Sequence, residues 1–129
     1  MKSKKKEQSI SLDGKKVSLN FIEVDIAVCK PDFANDNMTD CYGQYHRRKN
    51  LIEIQKNLSN LDETNTIIHE LMHLIAYASG EVTAGALKDD SDEERVVNSF
   101  ANLLIILFSQ NSWLLNYLRQ KLIDNDQNT

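Results

Sequence analysis

The sequence predicts an α+β fold: a small, mostly antiparallel sheet, then a long helix and two further C-terminal helices. Three observations predict it. Apolar residues alternate with polar ones through the first half, at the period of a half-buried strand. They recur at helical spacing through the second half. A His-Glu-x-x-His pentapeptide, His69-Glu70-Leu71-Met72-His73, opens that half.

The elements follow in order. Residues 9–12 alternate and read as a strand entering the Asp13-Gly14 turn, a pair favoured in tight hairpins. Residues 17–28 alternate over most of their length. Val17, Leu19 and Phe21 share one face, and Ile22, Val24, Ile26 and Val28 the other. The change of face predicts a bulge or two shorter strands. Residues 30–40, with Pro31 and several Asn and Asp, predict a loop. Leu51-Ile52-Glu53-Ile54 centres another strand, entered from Gly43 through the basic group His46-Arg47-Arg48-Lys49, a turn or solvated rim.

Helix signals come next. Asn60 with Glu63 three residues later resembles a capping box, and the helix should cover 61–79 before Gly80 caps it. Residues 81–90 predict a flexible connector. Ser91 is expected to cap a helix that runs to Leu107 or Phe108, with Asp92, Glu93 and Glu94 in its first turn. Residues 113–123 form a last amphipathic helix, with Trp113 as a packing anchor. One domain is expected over 9–124, between a flexible basic terminus (1–8) and a flexible tail (125–129).

Composition narrows the function. A chain of 129 residues with 41% hydrophobic content suits one core. Its longest apolar run, 103–108, is far short of the ~20 residues that span a bilayer. The Lys-rich start lacks the apolar stretch of a secretory signal. A net charge of −4 argues against nucleic acid as a partner. Cys29 and Cys41 are too few for a disulfide framework, so reduced thiols and a cytoplasmic setting are expected. Oligomeric state is not readable, although the apolar stripe Trp113, Leu114, Leu118 and Leu122 can cover the chain's own core or a neighbour.

The pentapeptide carries the chemistry. Residues four apart share a helix face, so the imidazoles of His69 and His73 can meet one cation. Glu70 lies about 100° further round the helix, close enough to act on a water there as general base. Ile67, Ile68, Leu71, Leu74 and Ile75 are expected to face a core, and Thr66, Glu70, His73, Ala76 and Tyr77 the site. Two imidazoles point to Zn2+, but a catalytic zinc needs a third protein ligand and an open place. Asp92, Glu93 and Glu94 are the candidates, with Asp90 behind them. Glu94 and Asn98 are four apart on one face and can look together toward the first helix.

His69-Glu70-x-x-His73 followed by Glu94-x-x-x-Asn98 resembles the gluzincin pattern of zinc peptidases. The finer resemblance is to the ImmA/IrrE-like metallopeptidases of bacteria and phages. Their E-x-x-A-N-x-F-A-x-x-L-L is matched by Glu94-Arg95-Val96-Val97-Asn98-Ser99-Phe100-Ala101-Asn102-Leu103-Leu104, and the Leu51–Ile54 strand is similar too. Val97 replaces the usual small residue, and Ile105-Ile106 stands where Met-Pro often follows. The resemblance implies a zincin-like domain with a zinc held by His69, His73 and Glu94. It implies catalysis by Glu70, with Asn98 supporting a ligating histidine. It implies cleavage of a protein or peptide substrate, a regulatory cut in a phage or bacterial context. The alternative is a zinc-binding regulatory interaction protein without turnover. Tyr77, Tyr42, Tyr45 and His46 are the candidate oxyanion donors, and the Ile52 strand is the expected edge for an extended substrate.

Overall fold

The computed structural model describes residues 10–29 and 42–127. They form β1 (Lys16–Leu19), β2 (Ile22–Cys29), β3 (Gly43–His46), β4 (Leu51–Gln55), α1 (Asn60–Ala78), α2 (Glu81–Ala84), α3 (Asp90–Gln110) and α4 (Ser112–Gln127). The α+β class holds. Two compact units, 1–70 and 71–129, divide the chain within α1.

The first unit is a sheet with α1's amino-terminal half. Strand order is β1-β2-β4-β3. β1 and β2 run antiparallel, β2 and β4 parallel, and β3 and β4 antiparallel. The predicted change of face at Phe21 is a tight hairpin: Leu19 pairs with Ile22 across the Asn20-Phe21 turn. Asn20 takes φ 56, a left-handed conformation that asparagine tolerates. The expected strand before Asp13-Gly14 does not form over residues 10–12. The turn clamps β2 instead. Val28 N–H donates to Asp13 Oδ1 at 2.8 Å, and Gly14 N–H to the Ile26 carbonyl at 2.9 Å.

One face of this sheet is the core. Val24 and Ile26 of β2 and Ile52 and Ile54 of β4 are buried, and Ile26 stands opposite Ile52. Each such aliphatic contributes roughly 1.5–3 kcal/mol by leaving water. The expectation that the Ile52 strand is an edge is overturned, because β4 lies between β2 and β3. Among the described residues the edge on that side is β3. Gly43 lets it approach α1: a Cβ there would stand 2.6 Å from Thr66 Cγ2 and 3.0 Å from the Glu53 carbonyl. The basic group is the turn between β3 and β4, where Asn50 takes φ 50.

α1 is capped one residue earlier than expected. Ser59 Oγ accepts from Asp62 N–H at 3.1 Å, which puts Asn60 inside the helix. Gly80 ends it as predicted, at φ 84, with its N–H donating to the Tyr77 carbonyl at 3.1 Å.

In the second unit the connector contains the short α2. Asp89, not Ser91, caps α3: its side chain accepts from Ser91 N–H at 2.8 Å. The Ser91 hydroxyl, and after it this N–H, draws the Asp89 carboxyl below its ordinary pKa. α3 reaches Gln110, and α4 continues to Gln127, past the predicted end at 123. Val97 and Ala101 are buried on α3, while Phe100, Leu103 and Leu107 are exposed. Trp113 is not a buried anchor. It is 61% exposed and meets Tyr117 edge-on, ring centroids 6.1 Å apart. No described helix is long and apolar enough to cross a membrane. The expected basic terminus and the last two residues of the tail lie outside the described residues.

Candidate metal centre

α1 delivers three of the predicted side chains to one place. His69, Glu70 and His73 each offer a ligand atom, and these atoms all lie within 4.8 Å of one another. Consecutive helical turns produce this, since i and i+4 side chains stack on one face.

The face turned inward is not the expected one. Thr66, Glu70, Leu74 and Ala76 are the buried residues of α1, whereas Ile75 is 51% exposed. Thr66, Glu70 and Leu74 recur every four residues and form one stripe. Thr66 meets β3 at Gly43. The stripe expected to face the site is therefore largely the buried one. Apolar count misled here, because the motif places Glu70 in the interior, at 6% exposure. A buried carboxylate is costly unless it is paired or holds a cation.

His73 is the best-defined member. Its Nδ1–H donates to Glu93 Oε2 at 2.5 Å, and its Nε2 lies 3.2 Å from Glu94 Oε2. The side chains of His73 and Glu93 are 13% and 18% exposed, and that of Glu94 is 53% exposed. Glu94 stands outside the group of three but borders it through His73. Asn98, one turn further along α3, is exposed. Tyr77 lies one turn beyond His73 and is partly buried.

The other predicted donors are dispersed. Tyr45 stands opposite Ile52 on the core face of the sheet. Tyr42 is 44% exposed. His46 is on the sheet's other face, where its Nε2 donates to Glu53 Oε1 at 2.6 Å. The second oxygen of Glu53 accepts from Cys29 Sγ at 3.6 Å. Burial, then the Glu53 charge, pushes the Cys29 thiol above its ordinary pKa. Sequence reasoning missed this Cys29-Glu53-His46 cluster. The only signal was alternation, which puts Glu53 on the face away from Ile52 and Ile54.

The donor set suits a catalytic cation. Two imidazoles, a buried carboxylate between them and a further carboxylate on the Nε2 side of His73 match the nitrogen and oxygen ligands zinc takes. The profile of the IrrE N-terminal-like domain family, peptidase M78, matches residues 23–107. The chain belongs to the peptidase M78 family. The match takes in the sheet from β2 onward, the His-Glu-x-x-His helix and most of α3. No curated protein and no solved structure matched the chain.

Proposed function

We propose that this M78 chain is a zinc-dependent peptidase, with His69, His73 and Glu94 holding the metal and Glu70 as general base. The observation that carries the reading is the convergence of His69, Glu70 and His73 within 4.8 Å, with Glu70 buried among them. Zinc bound there would supply Lewis acidity, lowering the pKa of a water toward neutrality and polarising the scissile carbonyl.

The remaining chemistry belongs to the chain's own residues. Glu70 accepts a proton from the attacking water and returns it to the departing amine. Its burial keeps bulk water away from that transfer. Tyr77 is the candidate donor for the oxyanion. β3, last in the strand order of the described residues and beside α1, is where an extended segment of protein or peptide can add as a further strand. Asn98 supports the histidines from α3 in this proposal. A regulatory cut in a phage or bacterial cytoplasm belongs to the same reading and draws its support from the resemblance and the paucity of cysteines.

Zinc analysis with a casein or candidate-repressor digest tests it. Glu70→Gln should keep its zinc and lose turnover by about 10²–10⁴-fold, the span a positioned general base contributes. His69→Ala and His73→Ala should each lose stoichiometric zinc. Full zinc content in both histidine variants defeats the site, and parental turnover in Glu70→Gln defeats the mechanism. A parent that binds zinc and cuts nothing leaves the regulatory interaction protein as the reading.

A further inference from the structure

Glu93 and Glu94 are neighbours in sequence, yet they meet opposite edges of one ring. Glu93 Oε2 is 2.5 Å from His73 Nδ1, and Glu94 Oε2 is 3.2 Å from His73 Nε2. Successive residues on a helix differ by about 100°, so two adjacent carboxylates can straddle an imidazole that approaches the helix between them. We propose that Glu93 is a positioning residue: it holds the proton on His73 Nδ1 and fixes the ring so that Nε2 presents its lone pair to the metal. This inference rests on the zinc reading above.

The chemistry of a histidine ligand and the geometry of this contact support the role. A histidine ligand must be neutral and must bind through one nitrogen only. The tautomer is set by whatever accepts a hydrogen bond from the other nitrogen, commonly a carboxylate. Glu93 occupies that place at 2.5 Å, with both side chains less than a fifth exposed.

The bland alternative is that Glu93 is one more acidic residue complementing the α3 dipole. Asp90 and Asp92 stand in the same first turn, and the exposed Asp92 carboxylate pairs with Arg95 at 3.6 Å. A dipole role does not require a partly buried carboxylate on an imidazole nitrogen. The local backbone supports the placement as well. Glu93 N–H donates to the Asp89 carbonyl at 3.0 Å, and the Asp89 side chain accepts from Ser91 N–H at 2.8 Å, so the cap sets the register of this turn. Exposed Asn98, the expected support, is a full turn away from the residue that makes the contact.

The experiment measures zinc affinity of the full chain by competition with a chromophoric chelator. Parent, Glu93→Gln, Glu93→Ala, Glu94→Ala and His73→Ala are compared, with circular dichroism confirming helix content. Loss of an orienting partner weakens metal binding by about 10–100-fold. That is the expected effect of Glu93→Ala. Glu93→Gln keeps an acceptor oxygen and should retain affinity within a few-fold of the parent. Glu94→Ala and His73→Ala should lose stoichiometric binding.

Ring ¹⁵N spectra supply a readout that a merely structural role would not move. Zinc-loaded parent and Glu93→Gln should show a protected Nδ1–H on His73, and Glu93→Ala should show it exchanging with water. Parental affinity in Glu93→Ala, or an unprotected Nδ1–H in the folded parent, overturns the inference while leaving the zinc reading intact. Loss of stoichiometric zinc in Glu93→Ala with full retention in Glu94→Ala would make Glu93 the ligand and overturn it differently. A parent that takes up no zinc defeats the metal centre and this inference together.

Discussion

The sheet and the C-terminal helices bury their aliphatic side chains very differently. In the sheet the large ones are inside: Val24, Ile52 and Ile54 have no exposed surface and Ile26 almost none. On α3 and α4 the residues buried are small or single, Val97 and Ala101, while Phe100, Leu103, Ile106, Leu107, Leu115 and Leu122 reach solvent. Both regions carry clear apolar periodicity in sequence. In a sheet, period two leaves only two faces, and a buried neighbour strand decides which is inside. On a helix, an apolar stripe states that something should be covered without saying by what. The first region therefore stores stability in named side chains. The second, among its described residues, buries few of them.

The largest expected effect is in the sheet. Ile52→Ala removes a fully buried side chain from the centre of the four-stranded order and should cost about 2–5 kcal/mol. Chemical denaturation should show it as a lower midpoint with an unchanged slope. A loss below about 1 kcal/mol, the scale of an average substitution, would mean that the sheet is not where this chain keeps its stability.

The same contrast explains what was legible in advance. The Asn20-Phe21 turn was readable because alternation changes phase there, and phase is a property of adjacent residues. α1 was readable from its spacing and from Gly80. Its buried side was not, since Ile67, Ile68, Leu71 and Ile75 outweigh Thr66 and Glu70 on any hydrophobic scale. Thr66 and Glu70 share the buried stripe, and a glycine at position 43 lets β3 come close to Thr66. The parallel pairing of β2 with β4, which made Ile52 internal, is a long-range choice that local pattern does not encode. In the site, His69, Glu70 and His73 were legible because their spacing is chemistry. The contacts of Glu93 and Glu94 with opposite ring nitrogens of His73 were not. One helical position separates them, and cap placement at Asp89 rather than Ser91 sets where each points.

A smaller effect tests the sheet's outer face. Cys29 gives its S–H to Glu53, and burial with that carboxylate raises the thiol's pKa. The neutral thiol is thus favoured by folding. This stabilisation is fully present below the unfolded thiol pKa and is lost as pH rises through the higher folded value, so it fades on the alkaline side. Alkylation of Cys29 at pH 8, read by peptide mass spectrometry against the unfolded chain, should be several-fold slower in the folded protein. Glu53→Gln should speed it by removing the Glu53 charge beside the thiol. A Cys29 that alkylates as fast folded as unfolded would show that this face is open, and the ordered sheet would then be one-sided.

The smallest expected effect comes from α3 and is the sharpest check on the contrast with the sheet. Leu103 is 64% exposed, so its folded environment differs little from its unfolded one. Leu103→Ser should change stability by no more than about 0.5 kcal/mol, as surface substitutions generally do. It should also improve solubility, because it breaks an apolar run that includes the exposed Ile106 and Leu107. Denaturation of the variant beside Ile52→Ala, at two protein concentrations, separates the cases. If Leu103→Ser costs as much as the core substitution, α3 is covered in solution and the asymmetry between the two regions disappears. If the parent's stability grows with protein concentration and the variant's does not, the cover is a second copy of the chain.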